Sequence, residues 1–179
     1  MISPDFESLC RIVIGVDPSV THTSSSDECG IVVVGKNEAG IGFVLDDLSL
    51  AAPPTTWAQR VVDAYHHYQA DRVVAEVNMG GDLVQTLLRT LDSNISFKGV
   101  HARSGKHARA EPIAALYEKK LVFHIRCFPA LEQQMCTFVR GIKGQKSPDR
   151  LDALVWALTE LMLANKPLPF VWNPVCGRI

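Results

Sequence analysis

Apolar and polar positions follow one rhythm up to residue 50 and another after it. The first rhythm is that of strands. RIVIGVD (residues 11–17) is an apolar run that ends on an acid, Asp17, and Pro18 behind it has no N–H to continue a ladder. GIVVVG (30–35) is a second run bounded by glycine, and IGFVLDDLSL (41–50) a third, joined to the second by the turn-like KNEAG. Between the first two lies THTSSSDE (21–28), small and polar, which reads as an exposed loop. Pro53-Pro54 then punctuates the chain and the period lengthens. Thr55 or Thr56 is expected to cap a helix whose apolar face holds Trp57, Val61, Ala64, Tyr65 and Tyr68.

Strands and helices alternate from there on. DRVVAEVN (71–78) is a short buried-type strand, and Asp82 is expected to cap a helix through Leu83, Leu87, Leu88 and Leu91. ISFKGVHA (95–102) is a strand, 108–120 a helix, LVFHI (121–125) a strand, and Pro129 opens a helix through Leu131, Met135 and Val139. GIKGQKSP (141–148) is a Gly/Lys loop before the last and longest helix, 149–163. The final stretch, KPLPFVWNPVCGRI, has three prolines and no periodicity. The chain thus reads as one α/β domain, 1–164, with an irregular tail, 165–179. Three successive strands should form an antiparallel meander, and later strands alternating with helices should add in parallel. That is a mixed central sheet flanked by helices on both faces.

The acids change the picture. A carboxylate at the end of an apolar strand is costly unless it is paired or binds a metal. For Asp17 alone, a turn-initiating Asp-Pro is a sufficient account. Glu76, inside VVAEVN, has no such structural excuse. If the first and fourth strands are sheet neighbours, the two carboxylates emerge side by side. Asp149 and Asp152, in SPDRLDALVWAL, are three apart on one helix face. Either has a plain alternative, Asp149 as a cap and Asp152 as a partner of the helix dipole. Carboxylates crowded together repel, and a divalent cation relieves them; oxygen-only ligands favour Mg²⁺ or Mn²⁺ over zinc. Two such ions about 4 Å apart suit phosphodiester hydrolysis.

Composition narrows the class without choosing the chemistry. With 47% apolar and 21% charged residues the chain is an ordinary globular protein, and no apolar run has the length of a membrane span. The start, MISPDFESLC, lacks signal-peptide character. Five cysteines (Cys10, Cys29, Cys127, Cys136, Cys176) without C-x-x-C spacing argue for reduced thiols in a cytosolic setting. The six histidines have no H-E-x-x-H spacing, and the three tryptophans read as packing residues. Net charge is only −1, yet ten of the 18 basic residues fall in 98–120 and 140–150. Such a local basic surface can hold a polyanion beside an acidic site. Lys106 and Arg109, at a helix start, are candidate phosphate contacts. Lys143 and Lys146, in the Gly/Lys loop, either clamp a nucleic-acid backbone or belong to a flexible connector. Asp27 reads as a solvated loop residue near the same edge.

Four stretches carry a family resemblance: IGVDPSV…SSSDECGIVVVG, VVAEVNMGGDLV, SGKHARAEPIAALYEKKLVFH and KSPDRLDALVWALTEL. In these the chain resembles the ribonuclease-H-like (retroviral integrase) superfamily, and within it the C-terminal nuclease domain of the large terminase subunit of tailed bacteriophages and related gene-transfer particles. GVDP alone also resembles RuvC-type junction resolvases. The resemblance implies a ribonuclease-H-like fold and a DNA endonuclease, dependent on two Mg²⁺ or Mn²⁺ ions, that cuts concatemeric viral double-stranded DNA during packaging in the cytoplasm of a bacterial host. It implies Asp17, Glu76 and Asp152 as metal ligands, with Asp149 at a neighbouring position that related domains fill variously. It also implies a portal, a small terminase and an ATPase motor as partners. The chain has no P-loop G-x-x-x-x-G-K-[ST], so it reads as an excised nuclease domain or a free-standing relative. A Holliday-junction resolvase and a non-catalytic docking domain are the competing expectations.

Overall fold

The computed structural model of the protein describes residues 9–18, 28–77, 81–138 and 148–164, with 81 and 82 as backbone only. Asp27, Lys143, Lys146, Trp172, Cys176 and the expected tail lie outside these residues. Strand β1 (Leu9–Asp17) pairs antiparallel with β2 (Glu28–Asn37), and β2 pairs antiparallel with β3 (Gly42–Asp47). β4 (Leu50–Ala51) joins the start of β2. After helix α1 (Pro54–His67), β5 (Arg72–Glu76) lies parallel to β1; after α2 (Gly81–Leu91), β6 (Phe97–Val100) lies parallel to β5. α3 (Lys106–Glu118) leads to β7 (Val122–His124), parallel to β3, and α4 (Pro129–Thr137) and α5 (Asp149–Leu158) follow. The sheet order is β6-β5-β1-β2-β3-β7, with β4 off this path. The expected meander followed by parallel additions is the observed one.

Both faces of the sheet are covered. Ile14, Val16, Ile31 and Val33 pack with Trp57, Val61, Val84 and Leu88 of α1 and α2 on one side. Val13, Val32, Val34 and Val74 pack with Ile113, Leu131, Leu154 and Leu158 of α3, α4 and α5 on the other. Continuous apolar runs in β1 and β2, rather than alternation, follow from this double coverage. α5 comes closest of all. A Cβ on Gly15 would lie 2.1 Å from the Ala153 carbonyl oxygen, and one on Gly30 would lie 2.0 Å from that of Asp149. Only glycine lets the helix backbone approach the strands this closely, and this contact sets the height of α5 above the sheet.

Several elements depart from expectation. The third strand does not run to Leu50. Asp47 takes its N–H to Asp46 Oδ1, and Ser49 donates from both N–H and hydroxyl to Asp47 Oδ1. These local side-chain bonds compete with the ladder and split off β4. α1 has no Thr cap; Pro54 opens it, and the Pro53 carbonyl accepts from Thr56 and Trp57 N–H. α2 starts at Gly81, so Asp82 falls inside the helix rather than ahead of it. α3 starts at Lys106, which puts Lys106 and Arg109 in its first turn. α5 ends at Leu158 and continues as a π-helical turn, Thr159–Leu163, in which Ala164 N–H reaches the Thr159 carbonyl at 2.9 Å. The helical segment thus covers the expected 149–163, as an α-helix closed by a π-helical turn. Asp149 is the first residue of α5, with Pro148 at the N-cap, so Asp149 does not stand at the cap position. Cys10, Cys29, Cys127 and Cys136 are free thiols, and no helix among the described residues is long and apolar enough to cross a membrane.

Candidate active site

The parallel register brings the two strand acids together. Val16 pairs with Ala75, so Asp17 and Glu76 are the next residue on each of two adjacent strands. On the other side Asp17 pairs with Gly30, the glycine on which the Asp149 backbone rests. One turn further along α5 comes Asp152. β1, β5 and the start of α5 thus deliver four acids to one end of the sheet. Asp152 and Asp149 are buried, at 4% and 7% exposure, and Asp17 and Glu76 are partly buried.

The electrostatics record this convergence. The Asp17 carboxyl is pushed up from 3.8 to about 8, first by burial and then by the charge of Asp152, with Asp149 and Glu76 adding and Lys106 opposing. Burial and the nearby Asp17, Asp149 and Glu28 also push the Cys29 thiol up, so it stays protonated. A negative charge on Asp17 is therefore unfavourable in the metal-free protein, and a bound cation would stabilise it.

Two basic residues meet the acids from α3. The Lys106 ammonium is paired with Asp152 Oδ2. Arg109 Nη2 lies 3.5 Å from both Glu76 Oε2 and Asp152 Oδ1. Cations in the first turn of a helix oppose its dipole, and these carboxylates offset that cost. Lys106 is 41% exposed, whereas the Arg109 side chain is 10% exposed and lies over Trp156. Trp156 Nε1–H in turn donates to Glu76 Oε2 at 3.1 Å. The sequence marked this tryptophan as packing only; the sole signal was a buried residue with a polar end that needs a partner.

A further clamp fixes the start of α5. Arg150, next to Asp149, pairs through Nη1 with Asp47 Oδ2 at 2.6 Å, and through Nε and Nη2 with the Glu28 carboxylate. It ties the helix to β2 and β3 beside the acids. The sequence reading missed this residue, because its partners lie 122 and 103 residues away.

The donor set of the four acids is all oxygen, which fits a hard divalent cation. As the side chains stand, no group of three or more His, Cys, Asp or Glu among the described residues is arranged to hold a metal. Lys106 and Arg109 occupy Asp152 and Glu76 instead, so a cation entering here must displace an internal positive charge.

The match to known proteins agrees with this architecture. The chain belongs to the terminase RNaseH-like domain family, whose model matches residues 14–161. Among solved structures, the large terminase nuclease of thermophilic phage G20c, with bound magnesium, is similar at a TM-score of 0.64 and 16% identity, over 84% of this chain and 81% of that one. A mutant nuclease domain of the large terminase subunit of bacterial virus Sf6, with manganese and beta-thujaplicinol, gives 0.61 at 13% identity, over 90% of each chain. The yeast mitochondrial Holliday junction resolvase Ydc2 gives 0.53 at 11% identity, over 84% of this chain and 78% of that one. These likenesses show a ribonuclease-H-like fold. A comparison with curated proteins finds no match.

Proposed function

We propose that the chain is a metal-dependent DNA endonuclease, the nuclease unit of a large terminase, which cuts concatemeric viral DNA during genome packaging. The observation that carries this is the convergence of Asp17, Glu76, Asp149 and Asp152 at one sheet end, with Asp17 destabilised in its charged form first by burial and then by the other acids. The family supports it, and so do similar nuclease domains solved with magnesium, zinc, cobalt or manganese bound.

Asp17, Glu76 and Asp152 would hold Mg²⁺ or Mn²⁺ ions, two in the full reaction, with Asp149 assisting. Such ions supply a nucleophilic water and stabilise the leaving oxygen of a phosphodiester. The rest of the mechanism belongs to the chain. Lys106, half open to solvent, leaves Asp152 and contacts a phosphate of double-stranded DNA. Arg109 stays seated between the carboxylates and presents a fixed positive charge to the scissile group. Lys143 and Lys146 extend the DNA contact. Residues 1–164 form the catalytic unit, which works with an ATPase motor, a portal and a small terminase in the host cytoplasm.

The test is a plasmid-nicking assay with Mg²⁺, Mn²⁺ and EDTA, run beside the Asp17→Asn protein. Metal-dependent nicking by the wild type alone supports the reading, and equal nicking by both overturns it. Binding to four-way junctions against linear duplex separates a terminase nuclease from a junction resolvase; strong junction preference would favour the latter.

A further inference from the structure

Trp156 is 7% exposed, yet both its polar end and its face are engaged at the acid cluster. The indole N–H donates to Glu76 Oε2 at 3.1 Å. The Arg109 guanidinium carbon lies 4.5 Å from the ring centroid, and Arg109 Nη2 reaches Glu76 and Asp152 at 3.5 Å each. Arg109 Nε is buried without a hydrogen-bond partner. A guanidinium that leaves a buried donor unsatisfied is held by its charge partners and by the ring beneath it. Asp152 and Trp156 are four apart on α5, so one helical turn presents a carboxylate and the indole to the same neighbours. Three elements, β5, α3 and α5, meet on this one side chain.

We infer that Trp156 is a positioning residue for the metal centre: its N–H fixes one oxygen of Glu76 while its ring seats Arg109 between Glu76 and Asp152. This rests on the reading of Glu76 as a metal ligand. A glutamate side chain has three torsions to lose on coordination, and a fixed oxygen removes much of that cost in advance. Partners that orient a ligand carboxylate alter metal affinity by about ten- to a hundred-fold when removed. Phenylalanine is smaller by the fused five-membered ring but keeps an aromatic face for Arg109, so it removes the N–H with the least loss of packing.

The experiment measures Mn²⁺ affinity without DNA, by calorimetry or by electron paramagnetic resonance, on wild type, Trp156→Phe and Glu76→Gln, with metal-free melts of each. Trp156→Phe should stay folded, melting below wild type only by what the smaller ring costs, and bind Mn²⁺ about ten-fold more weakly under conditions where both proteins are fully folded. If Glu76→Gln loses affinity while Trp156→Phe retains it, the positioning role is overturned and the functional reading stands. If Glu76→Gln binds Mn²⁺ like wild type, Glu76 is not a ligand and both fail. A second measurement needs no variant of the tryptophan. In ¹⁵N-indole spectra, saturating Mg²⁺ should shift one indole N–H of the wild type and none in Glu76→Gln. Indole resonances that all ignore Mg²⁺ in the wild type would also overturn the proposal.

Discussion

The Lys106 ammonium is paired with the carboxylate of Asp152, the most buried acid of the cluster. A cation bound at Asp152 and a phosphate bound at Lys106 therefore each benefit from breaking the same contact. Lys106→Ala should tighten Mn²⁺ binding in the absence of DNA, because the internal competitor is gone. It should weaken duplex binding and lower the salt slope by about one, since one phosphate contact releases roughly one counterion. Fluorescence anisotropy across a salt series reads the second effect. A drop in affinity with an unchanged slope would show that Lys106 does not touch phosphate.

Cleavage should require Mg²⁺ or Mn²⁺ and stop in excess EDTA. Ca²⁺ should raise the melting temperature without supporting turnover, because it accepts carboxylates with loose geometry and activates water poorly. Full-rate nicking in EDTA would exclude a metal mechanism.

The close approach of α5 to the sheet should be as necessary as the acids themselves. Gly30→Ala sets a methyl 2.0 Å from the Asp149 carbonyl oxygen, so the start of the helix must lift. The expected cost is about 1–3 kcal/mol, with loss of metal binding out of proportion to the loss of stability. Gly105→Ala, where nothing lies within 4 Å of the added methyl, is the control: at the N-cap of α3 it should lower stability by no more than about 1 kcal/mol and leave Mn²⁺ binding unchanged. Urea melts and Mn²⁺ titrations of the two proteins check this.

Where local pattern and physics agree, the sequence was readable. The β5–β6 pairing follows from a strand, a helix and a parallel strand in succession, whereas Asp17 beside Glu76 was expected only on the condition that β1 and β5 are neighbours, which the sheet order meets. What escaped reading depends on partners far away in the chain. Glu160 sits in an apolar helix end, and nothing nearby announces Arg11, Arg72 and Lys98, which lie 149, 88 and 62 residues off. Trp156 looks like core because its ring is core; only the tertiary fold gives its N–H a carboxylate. The separation of β4 arises from local bonds to the Asp46 and Asp47 carboxylates, which periodicity does not record.

Glu160 itself supports a stability prediction. It is 4% exposed and paired with Arg11 at 2.8 Å, Arg72 at 2.9 Å and Lys98 at 2.7 Å. Burial alone would raise its carboxyl, but hydrogen bonds and charge from Lys98 and Arg72 outweigh it and hold the group below its ordinary 4.5. A lowered folded value means the stabilisation is fully present above the ordinary 4.5 and is lost as pH falls from there through the folded value. Glu160→Gln should cost roughly 2–3 kcal/mol at neutral pH, less than for a fully buried cluster because Arg72 and Lys98 are partly open to solvent. The gap from wild type should close in acid. A gap that persists unchanged below pH 4 would mean the loss comes from packing instead.

Asp17 should behave in the opposite sense. Its carboxyl is raised from 3.8 to about 8 in the fold, so the native state binds more protons than the unfolded chain between those values. Stability of the metal-free protein should then decline as pH rises from about 4 to about 8 and level off above. Asp17→Asn removes this charge, so without metal it should melt above wild type at pH 7.5, by a margin that vanishes near pH 4. Glu76→Gln and Asp152→Asn should not share the gain, because both lose ion pairs with Arg109 and Asp152→Asn also loses Lys106. All three substitutions should abolish cleavage, and Asp149→Asn should be milder. Adding Mn²⁺ should invert the order of wild type and Asp17→Asn, since ligation stabilises only the protein that can bind. Thermal melts from pH 4 to 9, with and without Mn²⁺, read every step. If Asp17→Asn melts far below wild type without metal and keeps the full Mn²⁺ shift, Asp17 is a structural acid and the catalytic reading fails.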